Sequence, residues 1–388
     1  MDKRMSYIGS KLTIIAGKVK NIGLELRKEQ AILKALAGKE PLVSYIGWTG
    51  HNNLGDEILY EAHQALFPGV RFVPFRSHPL AALYCRLRGR QLYRAAFLGG
   101  GTLINQSPTW LRKIKRCQRQ GLPLYCFGTG VTEDRFRHPT EKTDLKQWVP
   151  VLETFEFVGV RGPRSERLLK KAGCEKVSVV GDAALALAPP KRTYHKPNRV
   201  IGLNYGLVKE NTIWGDARTY TKNIAAVIKR LIGDGYEVRL LPVWDQDIKS
   251  NQELLRLVDS PRCTLRAAFE NLESYAGELD QCGIFIGQKL HATIIACSRR
   301  IPSIMIEYQP KCRDFMASID MEVYTLKTSQ CIPDTMVGLI QKLYEGHQDI
   351  VSKLDKRVLG YQGLQNKHAS KIEAGLLSPG DITNGRKS

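Results

Sequence analysis

From Pro41 onward, short β-prone apolar runs alternate with longer amphipathic stretches. LVSYIG (42–47), VRFVPF (70–75), YRAAFLGG (93–100), PLYCFGTG (123–130), FEFVGVRG (155–162) and KVSVVGD (176–182) read as strands, most of them separated by helical segments, the first of which runs from about Leu54 to Leu66. LAPPKRTYHKPN (187–198) is rich in proline and charge and reads as a linker. A second series then begins, with strands at 199–206, 237–243, 283–287 and 301–306 and helices near 220–232, 250–258 and 290–298. Strands alternating with helices predict parallel sheets covered on both faces. The fold class is therefore α/β, with two doubly wound units facing a cleft between their strand carboxyl ends. The predicted organisation is a basic helical segment over 1–40, a first unit over 41–188, a linker over 189–198, a second unit over 199–345 and a charged helical tail over 346–388 with a disordered end.

The most informative stretch is CGIFIGQKLHATIIA (282–296). An apolar strand ends at Gly287 and a helix starts near Leu290, which puts Lys289 and His291 at a strand-to-helix turn. Ligands of open α/β sheets bind at that edge, and a helix N-terminus favours an anion. Lys289 adds a point charge, and His291 a group that moves protons near neutral pH. Arg161, in VGVRGPRSERLLKKAG, leaves another strand end and is shaped for bidentate contact with phosphate or carboxylate. In GHNNLGDEILY, Asn53 lies in a glycine- and asparagine-rich turn, and Asp56 falls in the first helical turn, where it either caps the helix or holds a sugar hydroxyl. In FLGGGTLIN, Gly99, Gly100 and Gly101 leave a strand without side chains and Thr102 follows; close packing and ligand access both account for the glycines. Asp182 ends the strand in VVGDAALAL. None of these is a dinucleotide fingerprint or a P-loop.

The chain has 388 residues and a formal net charge of +20. That excess implies an anionic partner. Basic clusters occur in the first 40 residues, around Arg86, Arg88 and Arg90, and from Arg112 to Arg119; without interleaved aromatics or a recognised binding motif they do not point to nucleic acid. No apolar run is long enough to span a bilayer, and the N-terminus lacks the apolar core of a secretory signal. The nine cysteines show no CxxC pair and no regular spacing, which predicts free thiols in a reducing compartment, so the expected location is cytoplasmic. No metal-ligand pattern stands out.

Taken in order, GHNNLGDEILY, LGGGTLIN, FGTGV, VGVRGPRSERLLKKAG, VVGDAALAL, GIFIGQKLHATIIA and IPSIMIEYQPKCRDF resemble the polysaccharide pyruvyl transferase family across roughly residues 44–320. The family's arginine–leucine–histidine triplet stands here as Lys289-Leu290-His291, which keeps the charge but loses the planar fork. The resemblance implies two Rossmann-like units in a GT-B-like arrangement. It implies phosphoenolpyruvate as co-substrate with no further cofactor, bound by Arg161, Lys289 and Leu290, and His291 as the catalytic acid/base. The acceptor is expected to be a sugar of a polysaccharide or lipid-linked precursor, met by cleft residues among Asn53, Asp56, Gly99–Thr102 and Asp182. The expected product is a pyruvate ketal in cell-envelope or exopolysaccharide synthesis. Two other readings remain: a GT-B-like glycosyltransferase using a nucleotide sugar, and a non-catalytic family member that binds glycan or a membrane surface. A lipid-borne acceptor together with the basic excess predicts peripheral contact with an anionic inner-membrane face, the segment 1–40 contributing.

Overall fold

The computed structural model describes residues 29–76, 78–132, 145–190, 197–206 and 214–378. The first sheet contains β1 (Leu42–Ile46), β2 (Arg71–Pro74), β3 (Ala95–Leu98), β4 (Gly101–Ile104), β5 (Leu124–Val131), β6 (Phe157–Val160) and β7 (Ser178–Val179). Its order is β2-β1-β3-β5-β6-β7, with β4 also on β5, and every pairing is parallel. β4 continues β3 past Gly99 and Gly100, so FLGGGTLIN is an interrupted strand rather than a strand and a loop. The second sheet contains β8 (Val200–Asn204), β9 (Glu237–Leu240), β10 (Cys263–Leu265), β11 (Ile284–Gly287), β12 (Ser303–Glu307) and β13 (Thr325–Lys327). Its order is β10-β9-β8-β11-β12-β13, again wholly parallel. That is the order of a dinucleotide-fold sheet, with its reversal between β8 and β11. Apolar runs such as AAFL, IFIG and SIMIE are buried along their whole length, as strands covered on both faces must be.

Thirteen α-helices cover the sheets among the described residues. In the first half these are α1 (29–37), α2 (Leu54–Leu66), α3 (Pro79–Leu87), α4 (Pro108–Arg119), α5 (Val149–Leu152) and α6 (Pro163–Ala172). The second half adds α7 (Ala217–Gly233), α8 (Ile248–Val258), α9 (Leu272–Asp280), α10 (Leu290–Ser298), α11 (Lys311–Ser318), α12 (Pro333–Glu345) and α13 (His347–Leu377). β4, β10, β13, α9 and α11 are absent from the sequence reading. The two β elements of the second sheet are three residues each, too short to show a period.

The two halves share one core. Leu54, Ile58, Leu59 and Ala62 of α2 join the same apolar cluster as Leu203, Ile286, Leu290 and Ile304 of the second half. α2 therefore binds the halves together, and its N-terminal backbone is fixed across the junction where Leu54 donates its N–H to the Val243 carbonyl at 3.0 Å. α13 is the second tie. Read from sequence as a charged tail, it is a 31-residue helix, about 46 Å long at 1.5 Å per residue. Its Ile350, Leu354 and Val358 lie in the shared core, while Ala369, Ile372 and Leu376 pack with Val43, Tyr45 and Phe97 of the first sheet. Gln365 donates to the carbonyls of Val180 (3.1 Å) and Asp182 (2.8 Å).

Most of the basic segment 1–40 and of the linker, and the end of the tail after Ser378, lie outside the described residues. The described part of the first segment packs on the protein body. Ile32 and Ala35 join Leu42, Val73 and Ala81, and Glu29 pairs with His78 at 3.2 Å.

Candidate functional site

The reversal point between β8 and β11 is where the second sheet opens its edge. Asn204 ends β8, and its side chain accepts the Lys289 N–H at 2.8 Å, while the Gln288 N–H reaches the Asn204 carbonyl at 3.1 Å. This lashes the β11–α10 turn to β8. Lys289 is the N-cap position of α10, with extended backbone and no side-chain cap bond. Its ammonium is turned outward instead, 3.5 Å from Asp247 Oδ1 and 5.1 Å from the centre of the Trp244 ring. Asp247 is fully buried, whereas the Lys289 side chain keeps 20% of its surface.

Four more ionisable groups surround that turn. His291, one step into α10, lies against the start of α2. A Cβ placed on Gly55 would stand 2.5 Å from His291 Nδ1. The His291 Nε2 atom is sealed from solvent without a hydrogen-bond partner among the described residues. Burial, reinforced by Lys311 and Arg161, drives the imidazole pKa well below 6.5, so His291 is neutral at physiological pH. Asp56, in the first turn of α2, has its carboxyl pushed up to about 7 by burial, with Lys311 and Lys289 opposing and Glu57 adding to the shift. Lys311 opens α11, just past the end of β12. Burial lowers its ammonium to about 8; Arg161 and Lys289 act in the same direction, and Asp56 against it. The phenol of Tyr308 is pushed well up by the same burial, with the nearby carboxylates of Asp56 and Asp247 adding to it. Two carboxylates, two ammonium groups and a neutral imidazole thus lie within electrostatic reach of one another, which is the arrangement expected where protons move.

The first half contributes a different kind of feature. Arg161 leaves β6 as predicted, yet it is not a surface clamp: its side chain has no exposed area, with Nη1 3.8 Å from Asp182 and Nε 3.9 Å from Asp314. Nη2 donates to Thr102 Oγ1 at 3.3 Å. The bidentate face expected to meet the donor is therefore turned toward protein carboxylates beneath the cleft. Asp182 is equally buried; burial raises its carboxyl to about 6 against the pull of Arg161, and it caps the following turn by accepting the Ala184 N–H at 3.0 Å. It is an internal counter-ion rather than a cleft residue. Leu290 is a core residue, 2% exposed, and contributes only backbone to the turn.

Other sequence-predicted residues fall into structural places. Asn53, not Asp56, caps α2, accepting the Gly55 N–H at 3.0 Å. Asn53 also bridges to Trp244 in antiparallel fashion, so it belongs to the junction. Side chains on Gly99 or Gly100 would collide with Tyr45 and Leu59, so close packing accounts for both, while Gly101 has a φ of +97° that favours glycine. Thr102 carries the Arg161 contact. Lys311, Asp247, Trp244, Tyr308 and Asp314 were missed. Lys311 and, more loosely, Asp247 obey the strand-end rule that singles out Lys289; Asp314 sits inside a short helix with no such signal. Among the described residues no group of three or more His, Cys, Asp or Glu is disposed to hold a metal ion, and no helix is long and apolar enough to cross a membrane.

The model of the family described as polysaccharide pyruvyl transferase matches residues 53–310. No curated protein matches the chain. Among solved structures, the Staphylococcus aureus MnaA–UDP co-structure aligns at a TM-score of 0.58 and 9% identity, over 87% of this chain and 97% of that one. A Neisseria meningitidis UDP-GlcNAc 2-epimerase bound to UDP-GlcNAc gives 0.55 and 10%, over 87% and 99%. Anabaena HepE in complex with UDP and glucose gives 0.53 and 12%, over 86% and 99%. These likenesses establish the fold, two Rossmann-like sheets in a GT-B-like arrangement.

Proposed function

The chain belongs to the polysaccharide pyruvyl transferase family, and we propose that it transfers the pyruvyl group of phosphoenolpyruvate to two hydroxyls of a glycan sugar. The observation that carries this reading is the convergence of Lys289, Lys311, neutral His291 and Asp56, whose carboxyl burial raises, at the β8–β11 reversal. Phosphoenolpyruvate is small and highly anionic. Two ammonium groups and the start of α10 offset its phosphate and carboxylate in a partly desolvated setting, where such charges act strongly.

The chemistry needs a proton placed on the enol carbon, a sugar oxygen bonded to C2, and then phosphate expelled as the second oxygen bonds. Two hydroxyl protons leave the sugar; one ends on the new methyl group and the other on phosphate, so the reaction needs no external acid. Asp56, poised near neutrality, can accept the first hydroxyl proton and return it. His291 stays neutral, so its role is to accept a hydroxyl proton or orient the donor, not to act as an imidazolium acid. Lys289 and Lys311 stabilise the departing phosphate. Arg161 acts from below by holding Thr102 and Asp182.

The test is isothermal calorimetry of the full chain with phosphoenolpyruvate and, separately, UDP-glucose, followed by phosphate release with glycan acceptors. Binding of phosphoenolpyruvate that is lost in Lys289→Ala supports the reading. Binding of UDP-glucose alone moves the protein to the glycosyltransferases, and donor binding with no phosphate release on any acceptor tried would argue for a non-catalytic member.

A further inference from the structure

Between Ala62 and Thr132 the chain carries eleven lysines and arginines and not one aspartate or glutamate. More than half of the +20 excess therefore belongs to one stretch of the first half. Where that stretch meets the end of β1 there is a cavity of about 370 Å³, walled by Trp48, His51, Phe75, Arg76, Trp110 and Lys113. That volume falls in the usual range for small-molecule sites, roughly 300–1,000 Å³. Trp48 is a large apolar side chain left 47% exposed, and its indole lies edge-on to Trp110 at 6.4 Å. Lys113 is held over the Trp110 ring at 4.5 Å. Its pKa is lowered by burial and by the nearby Arg76 cation. His51 joins this cavity to the donor cluster. Its ring packs on Trp48 at 4.4 Å, and its carbonyl accepts the Trp244 Nε1–H at 3.1 Å, the same indole that faces Lys289.

Flat indoles suit the apolar face of a sugar ring, and paired cations suit phosphate. We propose that this cavity binds the acceptor as a sugar carrying phosphate or diphosphate, an assignment that rests on the transferase reading above. Tryptophan fluorescence titrations with glucose, inorganic phosphate and glucose 1-phosphate test it. Glucose 1-phosphate should give a saturable response, weakened at least tenfold by Lys113→Ala and by Trp48→Ala and unchanged by Lys289→Ala. Equal affinity for inorganic phosphate alone, or equal affinity in the Lys113 variant, overturns it. A prenyl-diphosphate-linked sugar that binds tenfold more tightly assigns a lipid carrier, and equal binding a soluble one; both support the cavity. Calorimetry with phosphoenolpyruvate on the same variants separates the two ideas: donor binding that survives while sugar phosphate fails sinks only the cavity, and absent donor binding sinks the transferase reading.

A second observation stands by itself. On α3, Leu80, Leu83 and Leu87 are 48%, 54% and 78% exposed at a spacing of three and four residues, so they form one stripe. Ala81 and Cys85 are buried on the other side. Exposed Arg76, Arg86, Arg88 and Arg90 flank the stripe. Leucines pointing to solvent among exposed arginines match an interfacial helix, and the charge selects an anionic lipid surface. We propose that α3 seats the first half on an anionic bilayer. Sedimentation of the full chain with phosphatidylglycerol–phosphatidylcholine vesicles should show salt-weakened binding that falls about tenfold in the Leu83→Gln, Leu87→Gln double variant. Binding unchanged in that variant, or equal binding to pure phosphatidylcholine, overturns it.

Discussion

Gly55 and His291 come from opposite halves of the molecule, and the α2 backbone at Gly55 approaches the imidazole so closely that a Cβ there would lie 2.5 Å from Nδ1. Atoms never approach at that distance without displacement, so Gly55→Ala must move His291, α2 or both. The same Cβ would lie 2.6 Å from His291 Cβ, which is anchored to α10, so turning the ring cannot clear the contact and α2 and α10 must part. A misplacement of about 1 Å costs on the order of 10²-fold in rate. Gly55→Ala should therefore lose about that much turnover and also lower the urea midpoint, because α2 and α10 share one core. Turnover within twofold of wild type would mean that the position of His291 does not matter.

The pH dependence separates Asp56 from His291. As a base Asp56 works when deprotonated, so kcat/KM should rise through its pKa of about 7. Lys311 contributes while protonated, so activity should fall again through about 8. His291 is already neutral across this range and adds no limb there. The expected profile is a narrow bell with its maximum between those values. Asp56→Asn should remove the acid limb and cost roughly 10²–10⁴-fold. An acid limb that survives the substitution belongs to another group and dismisses Asp56 as the base.

Much of this site can be read in the sequence because one rule, chemistry at strand ends, applies to it. Lys289 and His291 follow IFIG directly, and β11 and α10 form where those residues demand. The same rule reaches Lys311, which follows SIMIE and opens a helix after Pro310, and more loosely Asp247, which lies at the start of α8 in the connection that follows β9. What periodicity does not carry is which side of the chain a partner comes from. Arg161 leaves its strand as expected, but only the fold brings Asp182 and Asp314 to its guanidinium and closes it from solvent. The glycines at 99 and 100 suggest open space, and the Tyr45 and Leu59 side chains occupy it. α13 hides for a related reason. Its buried positions divide between two cores, so no single apolar stripe marks it as structural.

Lys289 should govern donor affinity by charge. Its ammonium already balances buried Asp247, so the phosphate of phosphoenolpyruvate would join an existing ion pair rather than meet a lone cation. Removing the cation in Lys289→Ala should weaken phosphoenolpyruvate binding by about 2–3 kcal/mol, the range for hydrogen bonds to charged groups. Lys289→Arg keeps the charge and supplies a planar fork, so calorimetry should show binding at least as tight as wild type. Donor affinity unaffected in the alanine variant would move the donor away from this turn.

Asp314 should hold the halves together. It sits in α11 of the second half, yet it caps α6 of the first, accepting the N–H groups of Arg164 (2.9 Å) and Ser165 (3.2 Å) and the Ser165 hydroxyl (2.5 Å). It is also a counter-ion to Arg161, whose side chain is fully buried. Asp314→Ala strands three donors and leaves Arg161 with Asp182 as its remaining close carboxylate. Breaking a buried ion pair from one side costs about 3–5 kcal/mol. Asp314→Asn keeps an acceptor for the α6 backbone and should lose less. Urea denaturation followed by tryptophan fluorescence should order the midpoints wild type, Asp314→Asn, Asp314→Ala. Phosphoenolpyruvate affinity should fall little in the asparagine variant, because Lys289 and Lys311 remain in place. An alanine variant with a wild-type midpoint would show that the α6 cap and the buried charges contribute nothing to joining the halves.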